Sequence, residues 1–247
     1  MNNISDILKQ TDYILERGFN KLNDTINSTM VSILKDGTKG KNITEVMLYN
    51  PTSGIYSYKF QPIYTATTQW TNQIVKDITN MLDNELRNLS NYLGIPIPRL
   101  NFIKEVQNNI NNFSLQVPAN VRQNFLNYVS RTVIEPTTEE MLFNISNMIN
   151  KTMRQTELLM KESLAVNNRS FINKQYLKFE TPDTLYQYTG AFDKRISKIC
   201  AKLHSRIMTR KDWELIKPDI FTNGGHDNCR HSLDVVDMGD KTLKTPK

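Results

Sequence analysis

The 247-residue sequence predicts a mostly helical α+β protein, with two long helices followed by a small C-terminal α+β region. Two observations carry this expectation. Apolar residues recur at helical spacing through most of residues 1–168, and beyond Asn168 the pattern changes to short aromatic and β-branched segments separated by turn signals. A hydrophobic fraction of 38% with 10 Phe, 10 Tyr and 10 Met is enough for a packed core and excludes a disordered polyampholyte. Nine Gly and nine Pro exclude collagen-like and low-complexity chains. The 28 Asn give a polar but weakly charged surface.

The first long helix covers residues 1–36. Ile4, Leu8, Thr11, Leu15, Phe19, Leu22, Ile26, Met30 and Ile33 form one stripe, and Asp36-Gly37 ends it. Gly18 weakens it by roughly 1 kcal/mol relative to Ala. A stripe this long must dock, either on the protein's own core or on a partner helix. Residues 44–64 read as a β-hairpin or extended arm: Asn50-Pro51-Thr52-Ser53-Gly54 is a turn signal, and Ile55, Tyr56, Tyr58 and Phe60 lead to a stop at Pro62. Helical period returns over 70–93, closed by Gly94 with Pro96 and Pro98 beyond. Two shorter helices follow, over 101–113 and 118–132, the second with Pro118 in its first turn. Thr137 and Glu140 form a capping box for the second long helix, whose stripe Leu142, Ile145, Ile149, Met153, Thr156, Met160, Leu164 runs to about Asn168.

Residues 171–188 hold one or two strands, with Leu185, Gln187 and Thr189 alternating with Tyr186 and Tyr188. Short helices are expected over 193–206 and 210–216, then a loop at Asn223-Gly224-Gly225 and an apolar segment over 233–236. The expected division is a helical region over 1–150, carrying the hairpin near 44–64, and a C-terminal region over 151–247.

No run of 18 apolar residues is available for a membrane helix. The N-terminus lacks a basic and apolar leader, so an intracellular protein is expected. Two cysteines cannot build a disulfide scaffold. Gly37-Thr38-Lys39-Gly40-Lys41 lacks P-loop spacing, and the common hydrolase, zincin and dinucleotide signatures are absent. Most common enzyme signatures are therefore excluded.

Charge is localised. Residues 1–150 carry 13 basic and 13 acidic side chains, residues 151–217 carry 14 and 7, and residues 218–247 carry 4 and 5. Lys194, Lys198, Lys202 and Arg206, spaced by four, predict a basic helix face opposite a buried face of Ile196, Ile199, Leu203 and Ile207. Such a face either meets a polyanion or is solvated. Both cysteines and all three histidines fall within 200–231. Cys200 and His204, four apart, share a helix face, and His226, Cys229 and His231 follow a Gly-Gly turn able to fold back. Thiolates and imidazoles in this number suit a structural Zn²⁺; buried free thiols with hydrogen-bonded histidines, or a Cys200–Cys229 disulfide, are the other readings. With Asp193, Glu157 or Asp227 as general base, the same cluster beside a basic helix also admits a metal-dependent nuclease, and the localised charge admits a nucleic-acid-binding module.

Three blocks together carry a resemblance. Arg154-Gln155-Thr156-Glu157 lies on the second long helix. Leu185-Tyr186-Gln187-Tyr188-Thr189-Gly190-Ala191-Phe192-Asp193-Lys194-Arg195 leads to Cys200, Leu203 and Ile207. Gly224-Gly225-His226-Asp227-Asn228-Cys229-Arg230-His231 closes the set. In order and spacing they resemble the phage Mu protein F-like minor head proteins of tailed bacteriophages, over about residues 150–237. Gln155 is inserted in the first block, Ser197 and Lys198 stand where the family often has Arg and Pro, and His231 replaces the last Cys of the commoner closing motif. The resemblance implies a non-enzymatic virion component, assembled in the host cytoplasm. It implies association with portal, capsid or neck proteins, contact with packaged DNA, oligomeric placement in the particle and no membrane. It also implies structural roles for Asp193, Arg195 and Arg230. Asp193 is expected to cap the basic helix, and Arg230 to pair with Asp193, Asp227 or Glu157. Cys200 and Cys229 are expected to tie the helix to the terminal loop.

Overall fold

The computed structural model describes residues 4–37, 55–94, 96–131, 138–227 and 229–237. Four long helices come first: α1 (Ile4–Gly37), α2 (Ile55–Leu93), α3 (Arg99–Arg131) and α4 (Thr138–Tyr176). The C-terminal elements are β1 (Leu185–Gly190), α5 (Lys198–Leu203), β2 (Ile207–Thr209), α6 (Arg210–Ile216), α7 (Ile220–Asn223) and β3 (His231–Asp237). The fold is thus mostly helical α+β, as the periodicity predicts. Among the described residues no helix is long and apolar enough to cross a membrane.

The chain forms two compact units: one of Met1–Ile14, Lys76–Asn109 and Leu159–Lys247, the other of Leu15–Val75 and Ile110–Leu158. The expected division at residue 150 falls inside α4, and each long helix contributes a portion to each unit.

Among the described residues the second unit is all helix. Leu15, Phe19, Leu22, Ile26 and Met30 of α1 are buried together with Ile63, Trp70 and Ile74 of α2, Ile110, Val117, Val121 and Phe125 of α3, and Ile145, Ile149 and Met153 of α4. The α1 stripe therefore docks on the chain's own helices, with Phe19 edge-on to Trp70 at 4.7 Å. Gly18 is a point of close approach. A Cβ there would lie 2.2 Å from Ile74 Cδ1 and 2.7 Å from the Trp70 indole nitrogen, so the residue that weakens the helix locally is what lets α2 pack against it.

Two expectations are corrected by prolines. The hairpin near 44–64 does not form over 55–64, which lies in α2, with Pro62 inside the helix; residues 44–54 lie outside the described residues. The two short helices over 101–113 and 118–132 are one helix, α3, with Pro118 inside it. An interior proline costs about 3 kcal/mol by removing one N–H and crowding a carbonyl. In α3 the buried positions Val106, Ile110, Val117, Val121 and Phe125 continue on one face across the proline, and their burial outweighs that local cost. In α2 Ile63, Thr67, Trp70 and Ile74 do the same immediately after Pro62. Among the described residues there are therefore four long helices rather than two, and α4 continues past Asn168 to Tyr176.

The first unit combines helix ends with the sheet. β1 is central, antiparallel to β2 on one side and β3 on the other, in the order β2-β1-β3. Tyr186 and Tyr188, two apart on β1, are both fully buried, as the alternation predicts. Trp213 of α6 donates its indole N–H to the Tyr186 carbonyl at 2.9 Å. Arg210 holds both carboxylate oxygens of Glu180 at 2.7 Å and stacks over Phe221 at 3.9 Å.

β3 also reaches the start of the chain. Asp234, 2% exposed, accepts the Ile4 backbone N–H at 2.8 Å and the Thr189 hydroxyl. Its carboxylate satisfies one of the amides that a helix start leaves unbonded. Burial, with the charge of Asp6 adding to it, pushes the Asp234 carboxyl up from 3.8 to about 6; the hydrogen bonds oppose this only in part. Tyr176, also fully buried beside it, is raised by burial and by Asp234.

Two outcomes are expected. Asp234 takes up a proton more readily folded than unfolded, so its stabilising contribution is complete below about pH 4 and is lost as pH rises through about 6. A shift of this size corresponds to about 3 kcal/mol. Urea unfolding from pH 4 to 7 will show wild type losing about that much relative to Asp234→Asn; parallel pH profiles contradict it. Gly18→Ala will cost about 1–3 kcal/mol through overpacking, where an unobstructed helix position would gain about 1 kcal/mol.

Candidate metal centre

The site forms where β1, α5 and the segment entering β3 meet. Ser197 caps α5 by accepting the Cys200 N–H at 3.1 Å, which starts the helix in a register that buries Cys200 and Leu203. The turn after α7 brings back Cys229. Gly224 has φ +69°, a conformation that favours glycine, and a Cβ there would sit 2.9 Å from the Cys229 sulfur. A Cβ on Gly225 would meet the Tyr188 hydroxyl at 2.7 Å and the Cys200 sulfur at 3.1 Å. The Gly-Gly pair is therefore the only backbone thin enough to wrap directly over both sulfurs.

The two sulfurs lie 3.5 Å apart, and both cysteines are free thiols. Tyr188 stands between them, its hydroxyl 3.3 Å from Cys200 Sγ and 3.2 Å from Cys229 Sγ. The Gly225 N–H donates to the Tyr188 hydroxyl at 2.9 Å and points at Cys229 Sγ at 3.4 Å. The His231 N–H reaches the same sulfur at 3.5 Å. The His231 ring stacks on Tyr188, centroids 5.2 Å apart and 9° from parallel. Its Nε2 is buried and has no hydrogen-bond partner, a costly arrangement for an imidazole that is 2% exposed. One ligand atom each from Cys200, Cys229 and His231 lies within 4.8 Å of the others, so the three can hold a metal ion. Two thiolates on a tetrahedral Zn²⁺ stand about 3.8 Å apart, close to the separation here.

The two thiols titrate as a pair: their mutual hydrogen bond, with those from His231 and Tyr188, favours a thiolate on Cys229 against the opposing effect of burial, and the same bond with burial pushes Cys200 up. Burial beside both sulfurs pushes Tyr188 far up. Arg169 of α4 supplies the counter-charge. It is 2% exposed and donates to the carbonyls of Cys229, His231 (3.1 Å) and Thr222 (3.3 Å). Burial lowers its pKa while the Cys229 sulfur raises it.

Of the five predicted ligands, the structure brings Cys200, Cys229 and His231 together and leaves His204 and His226 out. Cys200 and His204 would share a face only in a continuing helix. α5 ends at Leu203, and His204 is its C-cap in an extended conformation, with Nδ1 on the Ser205 hydroxyl at 2.8 Å. Its ring lies edge-on to His231 at 5.7 Å, beneath the exposed Phe192. The Nδ1 of His226 faces the Asp227 carbonyl at 2.6 Å.

The other predicted residues divide in the same way. Arg230 pairs with Asp193 through two bonds of 2.8 and 2.7 Å, choosing one of the three carboxylates expected. Asp193 does not cap α5, because Ser197 does; instead it accepts the Arg195 N–H at 2.8 Å. The Arg195 side chain lies 3.6 Å from the same carboxylate. Hydrogen bonds from Arg230, then from Arg195, hold the Asp193 carboxyl well below its usual range. Lys194, Lys198, Lys202 and Arg206 are all exposed, but only Lys198 and Lys202 lie on α5, which is too short to align all four. Ile199 and Ile207 are about half exposed rather than buried. Sequence reasoning missed Tyr188 and Arg169 as site residues. Tyr188 carried a signal as an inward position of the alternating strand; Arg169 lay beyond the expected end of its helix.

No family model, curated protein or solved structure matches this chain.

Replacing Arg169 by Met strands three carbonyls, each costing about 1–3 kcal/mol when left without a donor. Chemical denaturation of Arg169→Met will show a loss of at least about 3 kcal/mol; a loss within experimental error contradicts the assigned role.

Proposed function

We propose that the chain is a non-enzymatic structural protein of a tailed-bacteriophage particle, a minor head protein at the portal or neck that aids head assembly and DNA delivery, and that a structural Zn²⁺ closes its C-terminal unit. The observation that carries this reading is the meeting of two of the resembling blocks. Cys200 of the strand–helix block touches Cys229 of the closing block across 29 residues of sequence, and Asp193 of the first holds Arg230 of the second. A reason for the shared spacing of those blocks follows: they form one knot. Partners on this reading are portal, capsid or neck proteins, with the packaged DNA near the exposed Lys194, Lys198, Lys202 and Arg206.

Cys200, Cys229 and His231 would hold the ion, with a fourth position for solvent or a reoriented His204. Bound there, Zn²⁺ would supply a cross-link between helix, strand and closing loop, not a reaction. The N–H groups of Gly225 and His231 and the Tyr188 hydroxyl are suited to stabilise the thiolates, a task that outer partners of metal ligands perform. Burial of all three ligands, at 0%, 3% and 2% exposure, shields an ion held there from a bulky substrate such as nucleic acid and favours a structural role over the nuclease alternative.

Two experiments test the two halves. Mass spectrometry of purified phage particles emptied of DNA will find this chain with the portal protein; its absence contradicts the virion assignment. The isolated chain will bind one Zn²⁺, with affinity falling at least about tenfold in Cys200→Ser, Cys229→Ser or His231→Ala and unchanged in His226→Ala. Equal affinity in all four variants contradicts the ligand set.

A further inference from the structure

We propose that Cys200 and Cys229 are a redox modification site: a peroxide joins them in an intramolecular disulfide, and an ion they hold is expelled. The expulsion rests on the zinc reading above; the disulfide stands on the thiol pair alone. Three features of the pair carry it. The sulfurs are in van der Waals contact at 3.5 Å, against a covalent bond length of about 2.05 Å. Both thiols are buried, so each sulfur's accessible partner is the other one and not a thiol of a second chain. A cavity of about 190 Å³ lined by Glu162, Val166, Arg169, Asn223, Asp227 and Cys229 reaches Cys229 from the α4 side. It is roomy enough for a small polar oxidant, whereas Cys200 has no exposure at all.

The first step falls on Cys229, the cysteine of the pair that borders the cavity. The Cys229 sulfur attacks one peroxide oxygen and the O–O bond breaks. The departing hydroxide takes a proton and leaves as water, and Cys229 becomes a sulfenic acid. The Cys200 sulfur then attacks the Cys229 sulfur, an S–S bond forms, and the S–O bond breaks to release a second water after protonation. The two sulfurs together lose two electrons and the peroxide gains them. An ion that had two thiolates and one imidazole is left with His231 alone, which is too little to retain it. A particle assembled in a reducing cytoplasm and released into an oxidising medium would thereby exchange a metal cross-link for a covalent one between the same two residues.

The test uses the full chain loaded with Zn²⁺ and treated with hydrogen peroxide, then unfolded and alkylated for intact-mass measurement while a chromogenic chelator reports free zinc. The expected product has lost two hydrogens, carries no alkyl group and has released one ion per disulfide; dithiol reductant followed by zinc restores the starting state. Cys200→Ser will stop at oxidised Cys229 without a disulfide, and His231→Ala, although weaker for zinc, will still form it. A chain that takes up no zinc but forms the disulfide overturns the metal reading and supports the modification site. A chain that holds zinc but yields two sulfinic acids, disulfide-linked dimers or two alkylated thiols overturns the modification site and leaves the metal reading intact.

Discussion

A guanidinium taken out of water has to be surrounded by acceptors, and the way this chain does so organises its C-terminal unit. Arg169 projects from α4 and gathers the carbonyls of Thr222, Cys229 and His231, so the loop leaving α7 and the start of β3 must curve around one charge. That curvature fixes where β3 begins, and His231 consequently pairs with Gly190 at the end of β1. It also turns the Cys229 sulfur inward toward Tyr188 and Cys200. The guanidinium, bonded to the Cys229 carbonyl, places a positive charge near the buried sulfur pair and lowers the cost of negative charge there.

The consequence is a core whose polar groups are mutually dependent. Tyr188 bonds both sulfurs and receives an amide from Gly225; it cannot move without freeing all three. The two glycines leave room for no side chain. Nε2 of His231 is buried without a partner, and one ring nitrogen of His231 lies within 4.8 Å of both sulfurs, so a bound metal would satisfy a group the fold otherwise leaves costly. Asp193 and Arg230 close the outer side of the knot in a more exposed setting, where the ion pair contributes orientation more than energy.

Much of the fold class was legible because it depends on local period. The stripes of α1 and of residues 70–93, the alternation of β1 and the bounds of α6 all follow from spacing that a neighbouring element need not explain. What was not legible depends on partners distant in sequence. Pro62 and Pro118 look like breaks because their cost is local, while the burial that offsets it is contributed by other helices. α4 reads as ending at Asn168 because polar residues interrupt its stripe, yet Arg169 is buried, and the carbonyls that make this tolerable are 53 to 62 residues away. The Cys/His cluster was visible as a cluster, but its membership turned on one residue of helix length: α5 stops at Leu203, so His204 leaves the face it would have shared with Cys200.

These features together describe a region in which one cation, one tyrosine, two thiols and one imidazole hold β3 against β1 and α4. The zinc-edge X-ray absorption spectrum of the reduced, zinc-loaded chain examines that construction most directly. The account requires two sulfur neighbours at about 2.3 Å together with imidazole nitrogen at about 2.0–2.1 Å; a shell made only of oxygen and nitrogen would mean that the sulfurs do not bind, and that the knot is held by packing alone.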